Sequence, residues 1–263
     1  AFLGVLDDLG ISWRLVDRRF SSSVAEVGKF SWRKVLSASL MPLRMLFAVL
    51  AHRPHAVVFF ATNRSFSFIV DWVLSELLRR TVKRRILYLH TVGYEELAAQ
   101  GAFWNWSVGR LLGSATHVVC LGRTLATDVT TWVRPDRISY VPNATDQGVT
   151  YKALAASTQP QPSVLFFSNL IPEKGAGVFV SLAQELLTEF PDVNFVLAGA
   201  EADAQFSSSL RAEVVRARLE NRVIFHGPVT LPGEKERLLS DATVLVFPST
   251  YRFEAQPLTI VEA

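Results

Sequence analysis

Cysteine is nearly missing: Cys120 is the single one among 263 residues. That excludes an intrachain disulfide and fits a reducing compartment. Cys120 closes the apolar run Thr116-His117-Val118-Val119-Cys120, so it reads as an inert core residue rather than a reactive thiol. Metal-ligand spacings are absent as well, with no C-x-x-C, H-E-x-x-H or D-x-D anywhere in the chain. No G-x-G-x-x-G follows a strand-like run, which argues against NAD, and no G-x-S-x-G is present, which argues against an α/β-hydrolase. No signal-peptide pattern is visible, and the sequon Asn143-Ala144-Thr145 would matter only in a secreted glycoprotein. The apolar stretch from Val35 to Ala51 is interrupted by Pro42 and Arg44 and falls short of the ~20 residues that span a bilayer.

What is present is unevenly spread. Residues 1–150 hold 18 Lys+Arg against 11 Asp+Glu, a balance of +7, and residues 151–263 hold 9 against 13, or −4, which together give the net +3. All six tryptophans (Trp13, Trp32, Trp72, Trp104, Trp106, Trp132) lie in the first part. A basic, Trp-rich half joined to an acidic half indicates two domains with different partners. Nucleic acid is not supported by any binding motif. An anionic membrane surface fits the basic half better. Lys29, Arg33, Lys34, Arg44 and Arg53 punctuate the apolar stretch, with Trp32 at its edge. An interfacial helix combines such features, and a plain core helix of the first domain reads equally well.

Strand-like runs alternate with helix-like segments, the pattern of an α/β protein with parallel sheets. The first part offers strands at Trp13–Asp17, His55–Ala61, Arg85–His90, Thr116–Leu121 and Arg137–Val141. Helices are expected near 33–52, 65–80, 103–113 and 122–132, after an amphipathic helix at Ala1–Leu9. The second part offers strands at Ser163–Phe167, Val193–Gly199, Arg222–Phe225 and Thr243–Phe247, with helices near 175–190, 204–219 and 233–241. The polar stretch from Asn143 to Pro162 reads as a connection. The expected organisation is a Rossmann-like domain over 1–145, a linker over 146–161 and a second Rossmann-like domain over 162–263.

Several residues fall where such sheets bind ligands, at the carboxyl ends of the strands. Glu254 and Glu262 lie eight apart across a strand-to-helix junction, with Pro257 suited to the first helical turn. Lys174 follows Pro172-Glu173 and precedes Gly175 at another such junction, where an ammonium and a glycine turn can meet a pyrophosphate. An ordinary solvated lysine is the alternative there, as a capping Glu254 and a surface Glu262 are for the pair. His90 ends the strand Ile86-Leu87-Tyr88-Leu89 and either points into a binding crevice or serves structure. His52, His55 and His117 are assigned to structure, and His226 at a strand end could stack near a base.

The pair with its seven intervening residues resembles the E-x7-E signature of retaining GT-B glycosyltransferases of family 4, the glycosyl transferases of group 1. Val164 to Gly175 is similar to that family's strand–loop–KG segment, Val196-Leu197-Ala198-Gly199 to its next strand and glycine turn, and Val141-Pro142-Asn143 to its interdomain signal. The resemblance implies GT-B architecture, two Rossmann-like domains facing a cleft. It implies that Lys174 and Gly175 meet the diphosphate, that Glu262 accepts from the ribose hydroxyls and that Glu254 contacts the transferred sugar. It also implies that Gly199, Gln256 and Pro257 line the donor and that His90 touches the sugar near the reaction centre. Where the family commonly has Gly-Arg, this chain has Ser168-Asn169, so a neutral Asn169 stands in for a cationic phosphate contact.

The expected activity is a retaining, metal-independent, hexosyltransferase-like transfer from a UDP- or GDP-linked sugar to an acceptor hydroxyl. Its expected setting is cell-surface polysaccharide or glycolipid synthesis, in the cytoplasm or peripherally at the inner face of a membrane. No cofactor or nucleic acid is expected. The partners are the nucleotide sugar and a saccharide or lipid-linked acceptor. Both ends of the chain read as cut, which implies an inactive piece. Rival readings are a nucleotide-sugar epimerase and a catalytically inactive nucleotide-sugar-binding or scaffolding subunit.

Overall fold

Buried β-branched and aromatic runs bounded by polar turns drive the chain into two parallel sheets. The computed structural model describes residues 2–17, 32–144 and 161–263, without the side chains of 32–39 and 65. By internal contacts these residues divide into two units, 2–17 with 32–144 and 252–257, and 161–251 with 258–263. The hexapeptide 252–257 therefore groups with the first unit.

In the first unit β1 (Ala56–Ala61), β2 (Arg84–Leu89), β3 (His117–Cys120) and β4 (Ile138–Tyr140) form a parallel sheet in the order β1-β2-β3-β4. The helices are α1 (Phe2–Asp8), α2 (Trp32–His52), α3 (Ser65–Thr81), α4 (Tyr94–Ala99), α5 (Ala102–Gly113) and the short α6 (Arg123–Ala126). Helix α3 buries Phe68, Asp71, Leu74 and Leu78 on one stripe, the three-to-four spacing of an amphipathic helix. Asp71 is fully buried and accepts from the backbone N–H of Thr62 at 2.8 Å and from its hydroxyl at 2.9 Å, which ties α3 to the loop after β1. Helix α2 runs unbroken through Pro42. It buries Met41, Met45 and Val49, while Leu43, Phe47 and Leu50 stand 63, 76 and 61% exposed. Among the described residues no helix is long and apolar enough to cross a membrane.

Residues 11–17 take no regular structure, so the strand expected at Trp13–Asp17 does not form. Ile11, Trp13 and Leu15 alternate as a strand would, but all three are exposed. Alternation makes a strand only where a neighbouring strand supplies the ladder. Trp13 instead donates its indole N–H to Asp7 at 2.8 Å. The helix expected near 122–132 is reduced to α6 and a 3-10 turn at Thr127–Val129.

The second unit holds β5 (Ser163–Phe167), β6 (Asn194–Ala198), β7 (Val223–Gly227) and β8 (Val244–Leu245), parallel in the order β7-β6-β5-β8. Around them lie α7 (Ala176–Glu189), α8 (Ala204–Arg216), α9 (Glu234–Asp241) and α10 (Leu258–Glu262). On α7 the residues Ala176, Phe179, Val180 and Ala183 recur at helical spacing and are all fully buried. Phe179 sits 5.6 Å from the ring of Phe166 and 5.7 Å, edge-on, from that of Phe195. Burying such a ring stabilises by about 1.5–3 kcal/mol.

Cys120 is 3% exposed. Burial pushes its thiol up to about 11, with the charge of Asp128 adding to the shift. Iodoacetamide at about pH 8 should therefore leave the native protein unmodified and label Cys120 only after denaturation, because the thiolate is the nucleophile. Rapid labelling of the folded chain would refute that reading.

Candidate functional site

The strand order of the second sheet places a topological switch point between β5 and β8: the chain runs outward from β5 through β6 to β7, then returns to the other side of β5. Ligands of open α/β sheets bind beyond the carboxyl ends of the strands at such points. Two loops meet there. The loop after β5 is held by Ser168 N–H to Ala198 carbonyl at 3.0 Å and Leu170 N–H to Ala200 carbonyl at 2.9 Å, with Leu170 buried as an anchor. It continues into a 3-10 turn, Pro172–Lys174, and ends on Gly175 at φ +84°, which starts α7. The loop after β8 crosses it, with Thr250 N–H donating to the Glu173 carbonyl at 2.9 Å.

Two glycines permit this crossing. A Cβ on Gly175 would lie 2.4 Å from the Pro248 carbonyl oxygen, and one on Gly199 would lie 1.9 Å from that of Ser168. The glycine turn after β6 therefore serves backbone-to-backbone approach of neighbouring loops. Lys174, half-buried at the crossing, holds its ammonium 4.6 Å from the ring centroid of Tyr251 and 6.0 Å from that of Phe247. Two aromatic faces thus lie against this cation. Asn169 is exposed on the same loop.

Glu262 ends α10, half-buried, and its Oε1 accepts from the Lys235 ammonium at 2.7 Å. Thr259, one turn earlier, donates to the Phe167 carbonyl at 3.4 Å, which seats α10 at the end of β5. His226 lies with Nε2 3.6 Å from Glu234 Oε1. Glu234 in turn accepts the N–H groups of Thr230 and Leu231 at 2.9 and 3.1 Å, so His226 belongs to the turn that opens α9.

In the first unit His90 follows β2 and packs 4.3 Å from the ring of Tyr88 and 5.3 Å from that of Phe60. Part of its ring is open to solvent, yet desolvation by these neighbours holds its pKa below the ordinary histidine value, and a hydrogen bond with Asn143 opposes the shift. Asn143 is itself clamped: its N–H donates to Gln256 Oε1 at 2.6 Å and its Nδ2 to the Gln256 carbonyl at 2.8 Å. His90, Asn143 and Gln256 thus form one connected group, with Glu254 and Pro257 half-buried in the same hexapeptide. A histidine with a depressed pKa is preferred neutral in the fold. Its contribution to stability is intact above the usual value of 6.5 and falls as pH drops below it. An NMR titration should place His90 below 6.5, and lower still in Asn143→Ala; a midpoint at or above 6.5 would refute this.

The loop Thr91-Val92-Gly93 after His90 is fixed from two sides. Asp128 accepts the N–H groups of Gly93, Tyr94 and Glu95 at 2.7, 2.9 and 3.0 Å, an N-terminal cap for α4 delivered from more than thirty residues away. Asn63 donates its Nδ2 to the Val92 carbonyl at 2.5 Å. Gly93, at φ +112°, would bring a Cβ within 2.7 Å of that Nδ2. Asp128 and Asn63 carried no sequence signal, because each acts across a large separation. Beside this loop lies a cavity of about 180 Å³ with Asn63, Arg64, Glu96, Gln100, Arg252 and Phe253 in its wall. Among the described residues no group of three His, Cys, Asp or Glu is placed to hold a metal ion.

The chain is similar to solved structures that share this architecture. HepE of Anabaena, in complex with UDP and glucose, matches at 18% identity and TM-score 0.65 over 100% of this chain and 67% of that one. An α,α-trehalose-phosphate synthase (UDP-forming) of Burkholderia xenovorans, in complex with glucose-6-phosphate, matches at 11% identity and TM-score 0.65, over 90% of this chain and 62% of that one. TarM of S. aureus, in complex with fondaparinux, α-GlcNAc-glycerol and UDP, matches at 13% identity and TM-score 0.58, over 85% and 43%. The chain thus spans between 43 and 67% of the length of these structures. No curated protein sequence matches it. The family model of glycosyl transferases group 1 matches residues 152–263, and the two parallel sheets are the fold that these solved structures share.

Proposed function

We propose that the protein of which this chain is at least a part is a retaining glycosyltransferase that moves a hexose from a UDP- or GDP-linked donor to an acceptor hydroxyl without a bound metal. The observation that carries this reading is the switch point of the second sheet, where Lys174 is seated over Tyr251 beside the loop that continues into the Glu254–Glu262 segment. Lys174 neutralises the departing diphosphate, the charge that develops as the bond from anomeric carbon to phosphate oxygen breaks. Glu262 orients the ribose, and Glu254 and His90 hold the transferred sugar. The acceptor oxygen bonds to the anomeric carbon on the face the diphosphate leaves, and its proton passes to the diphosphate. Asn169, Gly175, Gly199, Gln256 and Pro257 complete the donor's surroundings. The domains proposed are 1–145 and 162–263 joined by 146–161.

Donor turnover by the protein from the complete reading frame, in EDTA and with UDP- and GDP-sugars, tests this directly. Product with the donor's anomeric configuration is expected. Donor binding without transfer or hydrolysis would make the protein an inactive sugar-nucleotide-binding subunit, a reading that the neutral Asn169 favours.

The proposed setting is polysaccharide or glycolipid synthesis at the inner face of a membrane, with α2 as the docking element. Exposed Leu43, Phe47 and Leu50 flank the exposed Arg44 on a helix whose opposite face is buried. Lys29 lies outside the described residues, as do the side chains of Arg33 and Lys34. Binding to anionic but not neutral liposomes at low salt is expected, at roughly 1 kcal/mol per basic residue. Equal binding to both, or none, would sink the membrane assignment.

A further inference from the structure

Helix α3 packs against α2 and against α5, and all three bury residues in one core with the first sheet. The outward side of such a layer is ordinarily polar. Here it is not. On α3, Phe66, Ile69 and Val73 recur at three and four residues and are exposed, away from the buried stripe of that helix. On α5, Phe103 and Trp106 are 50 and 56% exposed and share one stripe, whereas Trp104 turns inward to lie 6.0 Å from the ring of Phe68. The ring of Trp72 lies edge-on at 6.0 Å from Phe103 and at 5.4 Å from Trp106, so the two helices join in one aromatic surface.

An exposed apolar surface of this extent marks a contact with another protein or with a membrane. Charge decides between them. The three helices carry six Lys and Arg against two acidic residues, Asp71 and Glu76. Asp71 is fully buried, and Glu76 is neutralised between Arg79 at 3.1 Å and Arg110 at 2.7 Å. Both apolar stripes run out into arginine, Val73 towards the exposed Arg80 and Trp106 towards Arg110. Face to face, a second copy of this chain would set these cations against their own images, which opposes association. An anionic bilayer takes both kinds of group at once, aromatic rings at the level of the headgroups and guanidinium groups on phosphate.

We infer that the α3–α5 surface docks on an anionic lipid bilayer, with Phe103 and Trp106 entering the interface and Arg80 meeting the headgroups. The inference rests on the membrane setting proposed for α2 and extends it, because the contact is shared by three helices rather than held by α2 alone. Phe66 stands five residues beyond the end of β1, so this surface reaches the rim onto which the carboxyl ends of the strands open. A lipid-linked acceptor held in that bilayer would approach from the side on which His90 lies.

The full-length protein at low salt, with vesicles of mixed phosphatidylcholine and phosphatidylglycerol or of phosphatidylcholine alone, tests the surface. Mixed vesicles with brominated chains should quench tryptophan fluorescence, and Trp106→Phe should lose much of that quenching while still binding. Trp13→Phe is the control, because Trp13 is also exposed but belongs to none of the three helices. Phe103→Ser combined with Trp106→Ser should weaken binding about tenfold or more, as the loss of two buried rings requires, with the thermal midpoint unchanged. Arg80→Gln should weaken binding to the mixed vesicles several-fold. Binding unchanged in the double variant, or quenching that survives Trp106→Phe in full, overturns the inference; should the double variant melt early, the quenching alone decides. Phe47→Ser separates the two readings: if it abolishes binding and the α5 variant does not, α2 docks alone and only the inference fails. If the unaltered protein binds neither kind of vesicle, the membrane setting fails with it. A dimer in light scattering that the α5 variant splits would assign the surface to a second copy and overturn the inference.

Discussion

Gly199→Ala is expected to destabilise the second unit by about 3 kcal/mol or more. The backbone there has φ +151°, a region that costs a side-chain-bearing residue about 1–3 kcal/mol. The added methyl would also lie 1.9 Å from the Ser168 carbonyl oxygen and 2.5 Å from its carbon, and backbone cannot rotate away as a flexible side chain could. Relief requires the loop after β5 to retreat, breaking the hydrogen bonds of Ser168 and Leu170 to the chain after β6. That retreat would carry Lys174 away from Tyr251, so loss of sugar-nucleotide binding should accompany loss of stability. Gly177→Ala is the control. Gly177 sits inside α7 with nothing within 4 Å of a new Cβ, and alanine is the better helix former by about 0.5–1 kcal/mol. Thermal unfolding of the two variants should move in opposite directions. Equal midpoints for Gly199→Ala and the unaltered chain would show that the two loops do not make this approach.

Lys174→Ala is expected to cost the proposed transferase about 1.5–3 kcal/mol of transition-state stabilisation, roughly 10- to 150-fold in kcat/KM, the range for a hydrogen bond to a charged group. Stability should change little, because Lys174 is half-buried at a loop crossing rather than in the core. Lys174→Met keeps much of the side chain's bulk and should fail equally, which assigns the effect to charge. Tyr251→Leu keeps the ammonium and removes the ring 4.6 Å beneath it. A cation over an aromatic face gains about 0.5–2 kcal/mol, so this variant should lose less than Lys174→Ala, through orientation. Donor turnover within twofold of the unaltered enzyme in Lys174→Ala would remove Lys174 from the site.

Most of the second unit was legible in the sequence. Ser163–Phe167 is a continuous apolar run between polar stretches and becomes β5 residue for residue. The Pro172–Gly175 turn was legible because proline and glycine act locally, the one by setting φ, the other by admitting φ +84°. The first unit shows the limit of such signals. Trp13–Asp17 alternates as well as any strand and joins neither sheet, whereas α4 was not anticipated, because its start depends on the carboxylate of Asp128 more than thirty residues away. Gln256 also has a partner that the sequence did not announce. It reaches Asn143 across 113 residues, a partnership with no trace in either neighbourhood.

The sequence by itself determined the alternation that yields two parallel sheets, the lysine and glycine turn after β5, and the eight-residue separation of Glu254 and Glu262. These are encoded within a few residues, where backbone dihedrals and the burial of one face are decided. Only the tertiary structure decided what those residues meet: Tyr251 under Lys174, Lys235 on Glu262, Pro248 against Gly175, and the hexapeptide 252–257 among the residues of the first unit. Such partners follow from strand order. In the second sheet β8 returns beside β5 instead of continuing past β7, and that choice depends on how whole faces pack, which no local pattern records.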